Sequence, residues 1–141
     1  MNEKYFNDAI IGNKNITVSY SDKGELLRLY YPTVDYKQFI DFFHVGVKVN
    51  DSSLIYLHDD VNNIYKQYYT NETNILNTEI MNTYFKLKIT QIDVVPISKD
   101  VLMKKYTLKN ENFMDLELKF IIHSKMISNS DNSFGSKILD N

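Results

Sequence analysis

The sequence predicts an all-β fold, an antiparallel β-sandwich of about nine or ten strands. Three observations carry this. Short segments of alternating apolar and polar residues recur between Asn, Asp, Gly and Pro turn residues. The strongest helix former, Ala, occurs only at Ala9, whereas the strand-preferring Ile, Val, Tyr, Phe and Thr are plentiful. The strand number exceeds the four to six usual in one open sheet, so two packed layers are expected. A closed barrel is the alternative arrangement.

Asn15 to Tyr20 places Ile16, Val18 and Tyr20 on one face. Ser21-Asp22-Lys23-Gly24 reads as a hairpin turn in which Gly24 takes a positive φ. Glu25 to Tyr31 is the return strand, stopped by Pro32. Thr33 to Asp41 is either a loop or a short helical turn. Phe43, Val45, Val47 and Val49 alternate with His44, Gly46 and Lys48, as in a strand with one apolar face. A turn over Asn50–Ser53 and a return strand over Leu54–His58 follow, closed by Asp59-Asp60.

Tyr65–Thr70 and Thr73–Met81 form a pair around Asn71-Glu72. Thr83 to Asp93 is expected to be the longest strand, with Phe85, Leu87 and Ile89 in one register. Its apolar set then shifts to Ile92 and Val94, which predicts a bulge near Thr90-Gln91. After a loop at Pro96, Leu102–Asn110 and Asp115–His123 read as a final hairpin around Asn110-Glu111-Asn112. Leu116, Leu118, Phe120 and Ile122 of that hairpin face the core. From Ser124 the pattern collapses, and residues 124–141, with Phe134 the one aromatic, read as a polar loop or tail.

At 141 residues the chain makes one domain, long enough to bury about two-thirds of its unfolded surface. A net charge of −2, from 16 basic and 18 acidic side chains, gives no basic footprint for nucleic acid. No Cys is present, which excludes disulfides, thiol catalysis and Cys-ligated zinc. Met1 to Asn13 lacks the pattern of a signal peptide, and no apolar run approaches the length of a membrane helix. A cytoplasmic location with no membrane partner is the expectation. Acceptor tripeptides for N-glycosylation at Asn15, Asn50 and Asn71 are chance matches in a chain so rich in Asn, Ser and Thr.

The patterns GxxxxGK[ST], GxGxxG and GxSxG are absent. His44, His58 and His123 lie too far apart in sequence to announce a metal site, and no metal or cofactor is expected. Asp59 and Asp60 read as an exposed turn, and Glu117 as an outward residue between core positions. Glycoside hydrolysis needs two carboxylates about a sugar, a relation that spacing alone does not reveal. Tyr30, Tyr31, Tyr65, Tyr68, Tyr69 and Tyr106 offer flat rings that stack on sugars. In a chain without Trp the same rings serve as large core and cross-strand residues, the more ordinary role.

Several stretches in order carry a resemblance. Gly12-Asn13 precedes the first long strand, and Gly24 is followed by Leu29-Tyr30-Tyr31-Pro32. Val45-Gly46-Val47 leads into Leu54–Asp60, and Asp93-Val94-Val95-Pro96 ends a strand. Lys104–Asn110 and Phe120–His123 complete the set. In this order and spacing the chain resembles the N-terminal β-sandwich domain of bacterial and archaeal glucoamylase-type glycoside hydrolases, glycoside hydrolase family 15. It departs at Ser52-Ser53, where Gly is frequent, at Tyr56, where Trp is frequent, and in Lys where Arg is common.

The resemblance implies a fold that is part of a larger super-sandwich, packed against a C-terminal (α/α)6 catalytic domain of the same parent chain. There, two Glu residues act as general acid and base on α-glucosides. It implies no catalytic residue within this sequence. The implied role is a non-catalytic scaffold, with Tyr30, Tyr31 and Pro32 as candidate contacts to an α-glucan oligosaccharide. Uncovered strand edges would also let the piece form a homodimer. A free-standing carbohydrate-binding module using exposed Tyr faces is the first alternative. A structural interaction domain with no sugar role is the second.

Overall fold

The computed structural model describes residues 8–32 and 38–127, and within them ten strands form three antiparallel sheets with no helix. The strands are β1 (Ala9–Gly12), β2 (Thr17–Tyr20), β3 (Leu26–Tyr30), β4 (Ile40–Val49) and β5 (Ser53–Tyr56). They continue with β6 (Asn63–Tyr69), β7 (Leu76–Asn82), β8 (Leu87–Val94), β9 (Met103–Asn110) and β10 (Leu118–Met126). The first sheet runs β1-β2-β3, the second β10-β4-β5 and the third β6-β7-β8-β9.

The third sheet is the platform, and the other two lie side by side on it. β8 shows why. Leu87, Ile89, Gln91 and Asp93 are fully buried, while Lys88, Thr90, Ile92 and Val94 on the other face are not. The first sheet contributes Ile11, Val18, Tyr20 and Leu26 to an apolar cluster completed by Leu76 and Val95 at one end of the platform. The second sheet contributes Val45, Val47, Val49 and Ile55 to another, completed by Ile80, Leu87 and Ile89. Phe43 packs against both clusters. Each fully buried Val, Leu or Ile contributes about 1.5–3 kcal/mol. The backbone of Phe39 ties the two upper sheets, its N–H donating to Leu29 and its carbonyl accepting from Ile127.

The turns follow local chemistry. Asn50 and Asp51, with φ of 51° and 57°, are the central residues of a turn in which the Ser52 N–H donates to the Val49 carbonyl, within the three-residue loop that links β4 to β5; Asn and Asp tolerate this left-handed pair. Gly24, at φ 81°, closes the β2–β3 turn. A β-carbon there would meet the Thr78 hydroxyl at 2.7 Å, so both conformation and space demand Gly.

Several expectations are corrected. The longest strand is β4, with ten residues; Thr83–Lys86 is a turn, and β8 starts at Leu87. No bulge interrupts β8, which pairs in unbroken register with both neighbours. The apolar pattern shifts there because Gln91 and Asp93 point inward in phase with Leu87 and Ile89. β9 and β10 are not a hairpin: β9 pairs with β8, and β10 pairs with β4 in the opposite layer. Asn110 and Asn112 side chains fold the chain back at Met114, and Glu117 then docks on Asn50 through both backbone groups.

Leu118, Phe120 and Ile122 do share the inward side with Val49, Val47 and Val45, but at a sheet edge. Phe120 and Ile122 stay 40% and 52% exposed. The strand also runs past Ser124 to Met126. The segment expected as a tail beyond that, including Phe134, lies outside the described residues, as do residues 33–37.

Gly24→Ala is expected to lower stability by about 2–4 kcal/mol, from left-handed strain plus overpacking on Thr78. Urea unfolding checks this, and a change under about 0.5 kcal/mol, the level of an ordinary surface substitution, would contradict it.

Candidate functional site

Between the two apolar clusters the platform carries a polar row. Gln67, Thr78, Gln91 and Tyr106 are register partners across β6, β7, β8 and β9, and the neighbouring row holds Leu76, Asp93 and Lys104. The β2–β3 turn presses onto these rows. Gln67 Nε2 donates to the Ser21 carbonyl at 2.9 Å, and Gln91 Nε2 to the Gly24 carbonyl at 3.0 Å. The turn's tip, Asp22-Lys23, is exposed, but Gly24 is buried, and the Gln91 amide satisfies a carbonyl there that water cannot reach.

Asp93 is fully buried and holds two donors: Gln91 Nε2 at 2.6 Å and the Lys104 ammonium at 2.5 Å. The Lys104 Nζ also lies 5.0 Å from the Tyr20 ring centre, 5.4 Å from that of Phe43 and 5.6 Å from that of Tyr106. A carboxylate and three ring faces thus replace the water lost on burial. Burial pulls the Lys104 amine below its ordinary pKa, and the Asp93 charge opposes this. Burial, then the Asp93 charge, holds the Tyr106 and Tyr20 phenols well above theirs.

Gln91 spends its amide hydrogens on Asp93 and Gly24, so its Oε1 accepts from His58 Nε2 at 2.8 Å. This fixes the proton of the neutral imidazole on Nε2. Burial lowers the His58 pKa to about 4, with the Lys104 charge adding to the fall and the Gln91 hydrogen bond opposing it. The Thr78 and Tyr106 hydroxyls, both bordering the seam, have no hydrogen-bond partner among the described residues.

Sequence reading passed over these residues, although strand parity points to them. Gln91 and Asp93 stand two and four residues after Ile89, the parity of a buried face. The seam joins all three sheets but is sealed. Asp93 and Gln91 have no exposed surface, so they can hold the layers and cannot meet a substrate.

The other acids are placed for solvent or for ion pairs. Asp51 pairs with Lys119 and Lys48, Asp41 with Lys125, Glu79 with Lys88, and Glu117 lies 3.9 Å from Lys119. An open groove of about 580 Å³ between the β6–β7 turn and the end of β8 has an apolar floor of Ile75, Val94 and Pro96. Glu72 is the one acid along it. Hydrolysis by two carboxylates finds no seat there.

The expected contact residues follow one another at the end of the first sheet. Tyr30 ends β3 opposite Thr17 and bridges to Gln38, while Tyr31 is 42% exposed and Pro32 half-buried after a cis peptide bond. The exposed rings of Tyr31, Tyr56, Tyr68, Tyr69 and Tyr84 do not form one row: Tyr68 and Tyr69 share β6 but face opposite sides of it, and the others sit on separate elements. Asp59-Asp60 is the expected turn, with Asp60 accepting from the Asn62 N–H. His44 and His123 are cross-strand partners beside Phe42, ring centres 6.5 Å apart, while His58 lies in the seam.

The chain is 32% identical over 118 residues to an uncharacterized glycosyl hydrolase of Methanocaldococcus jannaschii. The aligned stretch is 84% of this chain and 18% of that protein. The chain thus spans less than a fifth of its relative's length. No protein-family model matches it, and no solved structure does.

Lys104→Met leaves Asp93 buried and unpaired and is expected to cost about 3–5 kcal/mol; adding Asp93→Leu should recover most of it. Chemical denaturation of the single and double variants checks both. A second expectation concerns acid. The unfolded His58 protonates near pH 6.5 and the folded one only near 4, so its contribution is complete above 6.5 and drains away as pH falls to 4. The loss reaches about 3 kcal/mol at about 1.4 kcal/mol per unit. The stability difference between pH 7 and pH 4.5 should therefore be larger in the wild type than in His58→Gln; equal differences would refute this.

Proposed function

We propose that this chain is a non-catalytic β-sandwich module of a glycoside hydrolase. The parent enzyme is of the glucoamylase type, family 15, and acts on α-glucosidic bonds of starch-type oligosaccharides. The module supports a separate (α/α)6 catalytic domain that carries the reacting carboxyls. The partial similarity to a longer glycosyl hydrolase supports the first part.

The observation that carries the scaffold role is the way this sandwich ends. β9 and β10 are the outer strands of facing sheets, and the Tyr106 and Phe120 rings meet across them at 5.0 Å. Beyond that contact the inward side chains of β10 are half-exposed, so among the described residues the layers stop with core residues still uncovered. A module built to be continued by further polypeptide has this form. In the same reading Tyr30, Tyr31 and Pro32 are the candidate contacts to an α-glucan oligosaccharide.

Incubated with maltotriose, the chain alone is expected to release no glucose. Release abolished by changing one of its own carboxylates would overturn the proposal. Calorimetry with maltose separates the carbohydrate-binding alternative: affinity tighter than about 1 mM, lost in Tyr31→Ala or Tyr56→Ala, would favour that reading.

A further inference from the structure

The open side has a chemistry of its own. β9 and β10 contain five lysines, Lys104, Lys105, Lys109, Lys119 and Lys125, together with His123, and no acidic residue. Lys104 is spent on Asp93 inside. The other four stand on the outer faces of the two edges. Lys119 leans on Asp51 at 2.7 Å, Lys125 on Asp41 at 3.0 Å and Lys109 on Glu111 at 3.5 Å, each acid lying on a neighbouring segment. Lys105 forms no ion pair among the described residues. On the inner side, Leu118, Phe120 and Ile122 present an apolar row in line with Val49, Val47 and Val45.

A strand added to β10 therefore meets two demands at once. Its inward side chains must be apolar to cover Phe120 and Ile122. Its outward ones lie about 5 Å from lysines, where an opposite charge stabilises and a like charge destabilises. A second copy of the chain fails the second demand. Antiparallel self-pairing that uses all nine residues of β10 centres on Ile122 and sets Lys119 against Lys125 twice. Self-pairing of β9 about Thr107 sets Lys105 against Lys109 twice. Edge lysines are a known guard against such pairing.

We infer that the β9–β10 edge selects its partner by charge: it accepts an extended segment in which apolar residues alternate with acidic ones, and it rejects its own copy. The inference rests on the reading of the chain as a module continued by other polypeptide, and it names the chemistry of the segment that continues it. Main-chain hydrogen bonds along the free edge supply the affinity, and the alternate acids supply the register.

Two nine-residue peptides test it, one alternating Val with Glu and the other Val with Lys, each titrated into the full chain. Amide hydrogen exchange is read at β9 and β10, and mass by light scattering. The chain alone should be monomeric. The acidic peptide should slow exchange at the outward amides of these strands and bind at least about tenfold tighter than the lysine peptide, by a margin that shrinks in high salt. Lys105→Glu with Lys119→Glu, both at exposed positions, should reverse the preference. Dimerisation of the wild-type chain through these strands, equal binding of both peptides, or binding of neither overturns the inference. Glucose release by the chain would overturn the scaffold reading and leave the peptide preference as measured.

Discussion

A turn that seats Gly24 against the platform takes that residue's carbonyl away from water, and the polar interior is arranged around that constraint. The turn between β2 and β3 keeps its tip, Asp22-Lys23, in solvent and meets the platform at Gly24, where no side chain would fit. Gln67 and Gln91 rise from the platform to take its carbonyls. Once Gln91 is committed, its remaining partners are dictated. It gives its second amide hydrogen to Asp93 and takes one from His58, and Asp93 in turn draws Lys104 into a ring-lined seat. Each member is buried because the next satisfies it, so the network is worth most when complete. It also keeps the two apolar clusters distinct, since no hydrophobic path along β8 joins Ile89 to Val95 without crossing Gln91 and Asp93.

That same network sets the limit of what could be read from the sequence. The alternating valines of β4, the turn at Asn50-Asp51 and the left-handed Gly24 were legible because each is local: a period of two, a pair of residues tolerant of positive φ, a glycine between strands. So was the all-β class. The bulge expected near Gln91 was an error of sign, in which polarity was taken to mean exposure. Partners 11 to 67 positions distant in sequence turned those polar residues inward, and no local pattern records them. The pairing of β10 failed for a related reason. Nearness in sequence favoured β9, but the Asn-rich turn after Asn110 carries the chain across the sandwich to β4.

The acidic residues show how chemistry and support are separated. Among the described residues one carboxylate, that of Asp93, is fully buried, and it is walled in by Gln91 and Lys104. Of the carboxylates that solvent can reach, Asp41, Asp51, Glu79, Glu111 and Glu117 lie against surface lysines. Among the described residues no pair of acids is held about a cleft. In the relative the matching segment is a minor fraction of the length.

The strand order also dictates a sequence of assembly. β6, β7, β8 and β9 are consecutive in the chain and adjacent in their sheet, so each new strand finds its neighbour already made. β4 waits for β10, which arrives only after the whole meander has been synthesised, and closing that span is entropically the slowest step. On the ribosome the apolar face of β4 therefore emerges long before its outer partner exists. The finished meander is what shelters it in the interval, and nascent-chain protection should appear on the platform first.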